Sequence, residues 1–172
     1  NNFHNIYLIG IGGIGMSALA RYFRHLGKNV AGYDRTSTEL TSELENEEII
    51  IHFEDDLNLI PLIYTDPEEK ENTLIIYTPA VSSDHSEFTF FKNSGYVIKK
   101  RSEILGMIIH DKKGIAVAGT HGKTTVSTMI AHILKSSSID CSAFLGGISK
   151  NYNTNLLLSP ASENVVVEAD EY

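Results

Sequence analysis

A short run of residues in the second half of the chain, Ile115–Thr125, places a glycine-rich loop directly between a predicted strand and a predicted helix. Residues 115–118 are apolar and include Ile and Val, which predicts a short buried strand. From Val126 to Leu134, apolar side chains recur at the spacing of one helix face. Because the backbone N–H groups of such a loop and of the helix N-terminus point at an anion, the pattern predicts a phosphate-binding site.

The loop itself reads Gly-Thr-His-Gly-Lys-Thr-Thr. Lys123, the candidate catalytic cation, can reach the β- and γ-phosphates of a nucleotide, and the Thr124 hydroxyl can hold Mg²⁺. The full phosphate-loop pattern would need glycine where Val117 stands, so a plain helix N-terminus with exposed side chains is the alternative. The strand and the amphipathic helix favour the phosphate site. We expect the whole loop to line it: Gly119, Thr120, His121, Gly122, Lys123, Thr124 and Thr125.

A second glycine loop opens the chain. The apolar run Ile6–Ile9 leads into Gly10–Gly15, which has the pattern G-x-G-x-x-G, and a helical pattern follows. Another strand, Val30–Tyr33, ends at the carboxylate of Asp34. A β-α-β unit with these features is typical of a doubly wound, Rossmann-like parallel sheet that binds a diphosphate. A tight turn without a ligand is the alternative interpretation.

The remaining pattern continues the alternation of strands and helices. Residues 53–72 are acidic and poorly periodic, and we interpret them as a solvated surface excursion. A charged joint at His110–Gly114 predicts a boundary between a domain at 1–110 and the beginning of an α/β domain at 111–172. The further predicted strands are 49–51, 74–77, 96–98, 142–145 and 165–167, and the further predicted helices are 36–46, 87–93 and 101–109.

Composition narrows the classes of function. The formal net charge of −8 argues against a protein held mainly by nucleic-acid phosphates, so we expect no nucleic-acid partner. The single cysteine, Cys141, excludes an internal disulfide, which is typical of the cytoplasm, and we expect a packed thiol there. No apolar run is long enough for membrane insertion. Because the chain starts without Met and stops just after a strand-like run, we expect a piece of a longer protein.

The two glycine loops and the acidic run Glu168–Glu171, in this order and spacing, resemble the Mur ligases over essentially the whole chain. The resemblance implies a UDP-sugar-binding domain followed by a truncated P-loop ATP-binding domain. It also implies a reaction: ATP, with Mg²⁺, activates the carboxylate of UDP-N-acetylmuramate as an acyl phosphate, and L-alanine then attacks it, in peptidoglycan precursor synthesis. A third domain would be needed, so this chain alone should be inactive.

The resemblance assigns roles to particular residues. Glu168 would join Thr124 as a Mg²⁺ ligand, with Asp170 and Glu171 as competitors for that role. The polar loop Asn151–Asn155 would face the carboxylate of the sugar. The UDP-sugar would contact the first glycine loop, the end of the second strand, the loop after the fourth strand and the last helix: Gly12, Gly13, Ile14, Gly15, Asp34, Thr36, Ser37, Ser82 and Arg101.

Three other functions remain open at this stage. A ligase that reattaches a recycled peptide would use the same UDP-sugar, so this stretch does not separate the two. A dinucleotide-binding redox or regulatory domain would explain the first glycine loop and Asp34. It would leave the loop at 119–125 unexplained, because a dehydrogenase has no use for a Lys-Thr phosphate site. The third possibility is a non-catalytic nucleotide-sensing module.

Overall fold

The structure is a computed structural model that describes residues 3–169. The chain folds into two compact units, the first ending at Ile104 and the second beginning at Leu105. The boundary predicted at residue 110 stays a prediction. Within residues 3–169, no helix is both long and apolar enough to cross a membrane.

The first unit is a five-stranded parallel sheet in the order β3-β2-β1-β4-β5. The predicted Rossmann-like sheet is confirmed. Its strands are β1 (Asn5–Ile9), β2 (Asn29–Tyr33), β3 (Ile50–His52), β4 (Thr73–Tyr77) and β5 (Val97–Lys100). Its helices are α1 (Ile14–His25), α2 (Glu39–Asn46), α3 (Ser86–Asn93) and α4 (Arg101–Ile109), the last of which contains the boundary.

Strand order places a topological switch between β1 and β4, since the chain leaves β1 toward β2 and later returns to the other side of β1. Register keeps the carboxyl ends of these strands level, because Ile9 pairs with both Tyr33 and Tyr77. Open α/β sheets bind their ligands outside such a switch point. The first glycine loop follows β1, and the Thr78–Ser83 loop follows β4, so both lie at this position.

Residues 53–72 keep most of their acidic side chains exposed, as predicted, but they also contribute to the core. They form three short 3₁₀ helices, and Ile60 and Tyr64 are buried at 3% exposure each. The Tyr64 ring lies 5.3 Å from the ring of Tyr7 in the core of the first unit, in the same cluster as Phe91 of α3. The charge run is a solvated face, but two apolar residues between its acidic side chains belong to the core, which the prediction missed.

A polar cluster lies inside this core, formed by Tyr7 of β1, His52 of β3 and Glu87 of α3. The Tyr7 hydroxyl oxygen is 2.8 Å from Glu87 Oε2 and 2.7 Å from His52 Nε2, and Glu87 is fully buried. Burial, aided by the charges of Asp55 and Asp56, raises the pKa of Glu87 to about 8 even though the Tyr7 hydrogen bond opposes the shift. Burial lowers the pKa of His52. Both shifts favour the uncharged forms.

The second unit is a four-stranded sheet in the order β6-β9-β7-β8, in which only the β7–β8 pair is antiparallel. Helix α5 packs on it through Ala131 and Leu134, and Cys141 is a packed, buried thiol as expected. The elements of this unit are β6 (Lys113–Val117), α5 (Lys123–Ser136), β7 (Ser142–Ser149), β8 (Thr154–Leu157) and β9 (Asn164–Glu168).

Two sequence predictions in the second unit differ from the structure. The strand before the phosphate loop, β6, is not buried: it pairs only with β9 among the described strands, Ala116 is exposed, and Ile115 is half-buried. The strand predicted at 142–145 is also longer than expected. Strand β7 continues through Gly146 and Gly147 with an irregular register, and β8 returns beside it.

Candidate functional site

The first glycine loop is shaped by contacts from two neighbouring segments, one after β2 and one after β4. The Gly12 N–H donates to Asp34 Oδ2 at 2.8 Å, and Thr36 N–H donates to the other oxygen of that carboxylate at 3.1 Å. A Cβ on Gly10 would lie 2.6 Å from Thr78 Cγ2, in the loop after β4. Glycine is required at position 10, because its φ is +88° and the Thr78 side chain leaves no room for a Cβ.

Arg101 joins the same edge of the sheet. A Cβ on Gly15 would lie 3.0 Å from Arg101 Nη1, so the guanidinium lies directly beside the start of α1. A cation beside a glycine loop and a helix N-terminus is an arrangement that attracts an anionic group. From the spacing alone, Arg101 could equally have been a surface residue at a helix start.

The predicted contact residues do not all converge. Gly12, Gly15, Asp34 and Arg101 lie together around the loop, and Gly13 is exposed at its outer side. Ser37 and the Thr36 side chain are exposed after β2. Ser82 is exposed in the loop after β4 and donates a hydrogen bond to Asp84 rather than to the glycine loop. Ile14 begins α1 and is half-buried.

The second glycine loop leads into the N-terminus of α5 through two glycines at positive φ. Gly119 and Gly122 have φ of +148° and +80°, and Gly122 is the N-cap of α5. The Lys123 ammonium folds back over the loop and donates to the Gly119 carbonyl oxygen at 2.6 Å. Thr120, His121 and Thr125 are exposed along the same loop. The backbone therefore takes a path that only glycine adopts readily, with a cation held over it.

Glu168 lies beside the start of α5. Its Oε2 lies 3.2 Å from the Thr124 hydroxyl oxygen, as expected if both belong to one site. Ser127 Oγ and the Gly146 N–H, which sequence reasoning missed, lie 2.9 and 2.8 Å from Glu168 Oε1. The spacing of Thr124 and Ser127, three residues apart on one helix, was the signal that could have revealed Ser127.

Three further predictions concern the edges of this region. Asp170 and Glu171, the competitors of Glu168, lie outside the described residues. Residues 151–155 form the turn of the β7–β8 hairpin and the start of β8, and Asn155 is buried. Among residues 3–169, no three His, Cys, Asp or Glu side chains come together as a metal-binding group. A metal ion at Thr124 and Glu168 would therefore need other oxygens, such as those of a bound phosphate.

Comparison with known proteins gives the same assignment along the whole chain. The Mur ligase family catalytic domain matches residues 5–130, and the Mur ligase middle domain matches residues 117–171. The UDP-N-acetylmuramate–L-alanine ligase of Phocaeicola vulgatus is 57% identical over 172 residues, which is 100% of this chain and 37% of that protein. Its counterpart from Porphyromonas gingivalis is 58% identical over 97% of this chain and 36% of its own length.

Solved structures show the same relationship. The UDP-N-acetylmuramate-alanine ligase of Thermotoga maritima has a TM-score of 0.85 at 34% identity, covering 97% of this chain and 37% of that one. The UDP-N-acetylmuramate:L-alanyl-gamma-D-glutamyl-meso-diaminopimelate ligase of Neisseria meningitides has a TM-score of 0.84 at 25% identity, covering 99% of this chain and 53% of its own. The chain thus spans little more than a third of the curated relatives. By its family matches and by its fold, this chain belongs to the Mur ligase family.

Proposed function

We propose that this chain is the UDP-sugar-binding domain and the first part of the ATP-binding domain of a cytoplasmic ligase. The enzyme joins L-alanine to the carboxylate of UDP-N-acetylmuramate through an acyl phosphate, for peptidoglycan synthesis. The observation that carries the proposal is the 57% identity to the Phocaeicola vulgatus L-alanine ligase along the entire chain. The fold does not separate this function from peptide recycling, because the TM-scores of the two kinds of ligase are 0.85 and 0.84. The identities, 34% against 25%, favour L-alanine.

The second unit supports the ATP half of the proposal. Activating a carboxylate requires charge stabilisation on the transferred phosphoryl group, which backbone N–H groups, Lys123 and Mg²⁺ would supply. In an octahedral Mg²⁺ site, ligands about 2.1 Å from the ion place neighbouring oxygens about 3 Å apart. The 3.2 Å between Thr124 Oγ1 and Glu168 Oε2 fits that requirement, and both are the hard oxygen ligands that Mg²⁺ prefers. Bound there, the ion would neutralise phosphate charge.

The first unit supports the UDP-sugar half. The loop Gly12–Gly15, the N-terminus of α1 and Arg101 together favour a diphosphate. A redox domain would use the same loop for a dinucleotide, with Asp34 bonding the ribose. Two observations favour the ligase: the identity along the chain, and the Lys-Thr loop of the second unit, for which hydride transfer has no use.

Calorimetric titration of this chain tests the proposal directly. UDP-N-acetylmuramate should bind, UDP should bind more weakly, and NADH should bind far less than either. Gly13→Leu should abolish the UDP signal, because a side chain there would occupy the space of the diphosphate. The fold should tolerate it: Gly13 has φ −65°, and a Cβ would meet its nearest atom at 3.5 Å.

The matched control for that variant is Gly106→Ala, whose Cβ has no neighbour within 4 Å and which lies outside the loop. It should bind UDP-N-acetylmuramate like the wild type. Tight NADH binding without a response to UDP would refute the proposed function and leave the fold intact.

A further inference from the structure

The Glu168 carboxylate is held by more of the protein than a strand-end acid normally is. Oε1 lies 2.9 Å from the Ser127 hydroxyl oxygen and accepts the Gly146 N–H at 2.8 Å. Oε2 has a different neighbour, the Thr124 hydroxyl at 3.2 Å. The two oxygens are therefore used differently: one is bonded to the scaffold, and the other faces the predicted metal ligand.

Local sequence explains how these groups meet. Thr124 and Ser127 are three residues apart in α5, so their side chains lie on the same face of the helix. Gly146 comes from the irregular part of β7, and a Cβ there would lie only 2.4 Å from Glu168 Oε2. Glycine at 146 is thus required by the position of the carboxylate, and Ser127, which is fully buried, cannot reach solvent as an alternative partner.

We propose that Ser127 is a positioning residue for the metal site: with the Gly146 N–H, it fixes Glu168 Oε1 so that Oε2 stays beside Thr124 Oγ1, where Mg²⁺ would bind. The inference rests on the proposed function, because it assigns Glu168 and Thr124 to the Mg²⁺ of an ATP site. Partners that orient a metal-binding side chain commonly change metal affinity by 10- to 100-fold when they are removed.

A purely structural role is the competing explanation. Ser127 Oγ also lies 3.1 Å from the Thr124 carbonyl oxygen, a contact that helix serines make without any function. Since one hydroxyl has one proton, it can donate either to this carbonyl or to Glu168. A nearby charged acceptor forms the stronger bond, which favours Glu168.

The test uses the full-length protein and the variants Ser127→Ala and Gly146→Ala. The first removes the hydroxyl, and the second displaces the carboxylate from the other side. Electron paramagnetic resonance would measure Mn²⁺ binding in the presence of the β,γ-methylene analogue of ATP. Each variant should weaken Mn²⁺ binding about tenfold and raise the Mg²⁺ concentration for half-maximal turnover by a similar factor. The affinity of each variant for the metal-free analogue should stay within about twofold of the wild-type value. Ser127→Thr, which keeps the hydroxyl, should bind Mn²⁺ like the wild type.

Two matched controls isolate the effect. Ser17 is another fully buried helix serine, and it donates to the Ile14 carbonyl oxygen three residues before it at 2.9 Å. Ser17→Ala should lower the melting temperature about as much as Ser127→Ala without changing Mn²⁺ affinity. Gly114→Ala adds a methyl group to a strand of the same sheet, where the nearest atom would be 4.0 Å away. Its Mn²⁺ affinity should equal that of the wild type.

The outcomes are distinct. Unchanged Mn²⁺ affinity in Ser127→Ala, with a melting temperature lowered as in Ser17→Ala, would overturn the inference and leave Ser127 a structural residue. Ser127→Ala alone decides this if Gly146→Ala fails to fold. If the wild-type protein binds neither the ATP analogue nor its Mn²⁺ complex, the proposed function itself fails.

Discussion

In the wild type, the free energy of unfolding of the first unit should fall as the pH rises from about 6.5 to about 9. Replacing Glu87 by glutamine should abolish this fall. The substitution is nearly isosteric, and the side chain is fully buried against Tyr7 and His52. Glutamine can still donate a hydrogen bond to the Tyr7 oxygen, but it has no proton to lose. The variant therefore changes titration and little else.

The hydrogen bonds of the cluster determine where its protons lie. His52 Nδ1 is 2.9 Å from the Glu54 carbonyl oxygen, which can only accept, so Nδ1 carries a proton. In neutral His52, Nε2 accepts a hydrogen bond either from the Tyr7 hydroxyl at 2.7 Å or from protonated Glu87 Oε1 at 3.2 Å. In the first case Glu87 donates to the Tyr7 oxygen, and in the second Tyr7 donates to Glu87 Oε2. Both arrangements need the proton of Glu87. Ionised Glu87 would compete with His52 for that single proton.

The sign and size of the effect follow from linkage. Near pH 7 the folded state keeps the proton of Glu87, whose pKa is raised to about 8, whereas the unfolded chain loses it near its usual value of 4.5. The folded state binds more protons, so the free energy of unfolding falls as pH rises, by at most about 1.4 kcal/mol per unit. Below about pH 6.5 unfolded His52 takes up a proton that folded His52 does not, which offsets the trend. The interval from about pH 6.5 to the Glu87 pKa of about 8 is about 1.5 pH units, which corresponds to a loss of about 2 kcal/mol in the free energy of unfolding.

Urea unfolding at several pH values measures this loss. The chain has no tryptophan and eight tyrosines, and six of these precede residue 105, so tyrosine fluorescence reports mainly on the first unit. The difference in unfolding free energy between wild type and Glu87→Gln should change by about 2 kcal/mol from pH 6.5 to 9. Glu68→Gln, at an exposed glutamate, should follow the wild-type profile. Parallel profiles for wild type and Glu87→Gln, within about 0.5 kcal/mol, would refute the proton assignment.

Three further substitutions test the sites and the core. Lys123→Met in the full-length protein should lower kcat at least about a hundredfold, since it removes a preorganised cation, and should leave the Kd for UDP-N-acetylmuramate unchanged in calorimetry. Glu168→Gln should lower kcat similarly; unchanged turnover and Mg²⁺ dependence would show that another residue is the ligand. Tyr64→Ala should lower the urea-unfolding free energy by about 3 kcal/mol, whereas Leu62→Ala, at 84% exposure, should stay within about 0.5 kcal/mol.

Much of the fold was predictable because its elements are separated by glycine and have clear periodicity. Strand β1, the glycine loop and α1 follow the predicted bounds closely, and Gly27 ends α1 with φ +72°. The helix predicted at 101–109 is confirmed. In each case a local signal in the sequence is also the physical cause of the local structure.

The predictions that missed part of the structure share a different cause, because each missed feature depends on contacts that leave no local pattern in the sequence. Burial of Ile60 and Tyr64 depends on irregular 3₁₀ turns, which have no period for a sequence pattern to reveal. The exposure of Ala116 depends on what packs over its face of β6, which residues far away in the sequence decide. The strand predicted to end at residue 145 continues through Gly146 and Gly147, although glycine normally weakens a strand. Glycine is needed at 146 because the Glu168 carboxylate lies where a Cβ would be.

The glycines of the first loop differ in whether packing within the protein itself requires them. At Gly10 and Gly12 a Cβ would lie less than 3.0 Å from the short side chains of Thr78, Thr41 or Asp34, so the protein itself requires glycine there, whereas at Gly15 the nearest atom is the Arg101 guanidinium at 3.0 Å. Gly13 differs. Its backbone angles suit any residue, and the nearest of the described atoms would be 3.5 Å from its Cβ. Packing among the described residues therefore gives no reason for glycine at 13, whereas a ligand lying over the loop would. If Gly13→Ala has the melting temperature of the wild type but binds UDP-N-acetylmuramate more weakly, Gly13 serves the ligand rather than the fold. An affinity equal to that of the wild type would show that the diphosphate does not lie against Gly13.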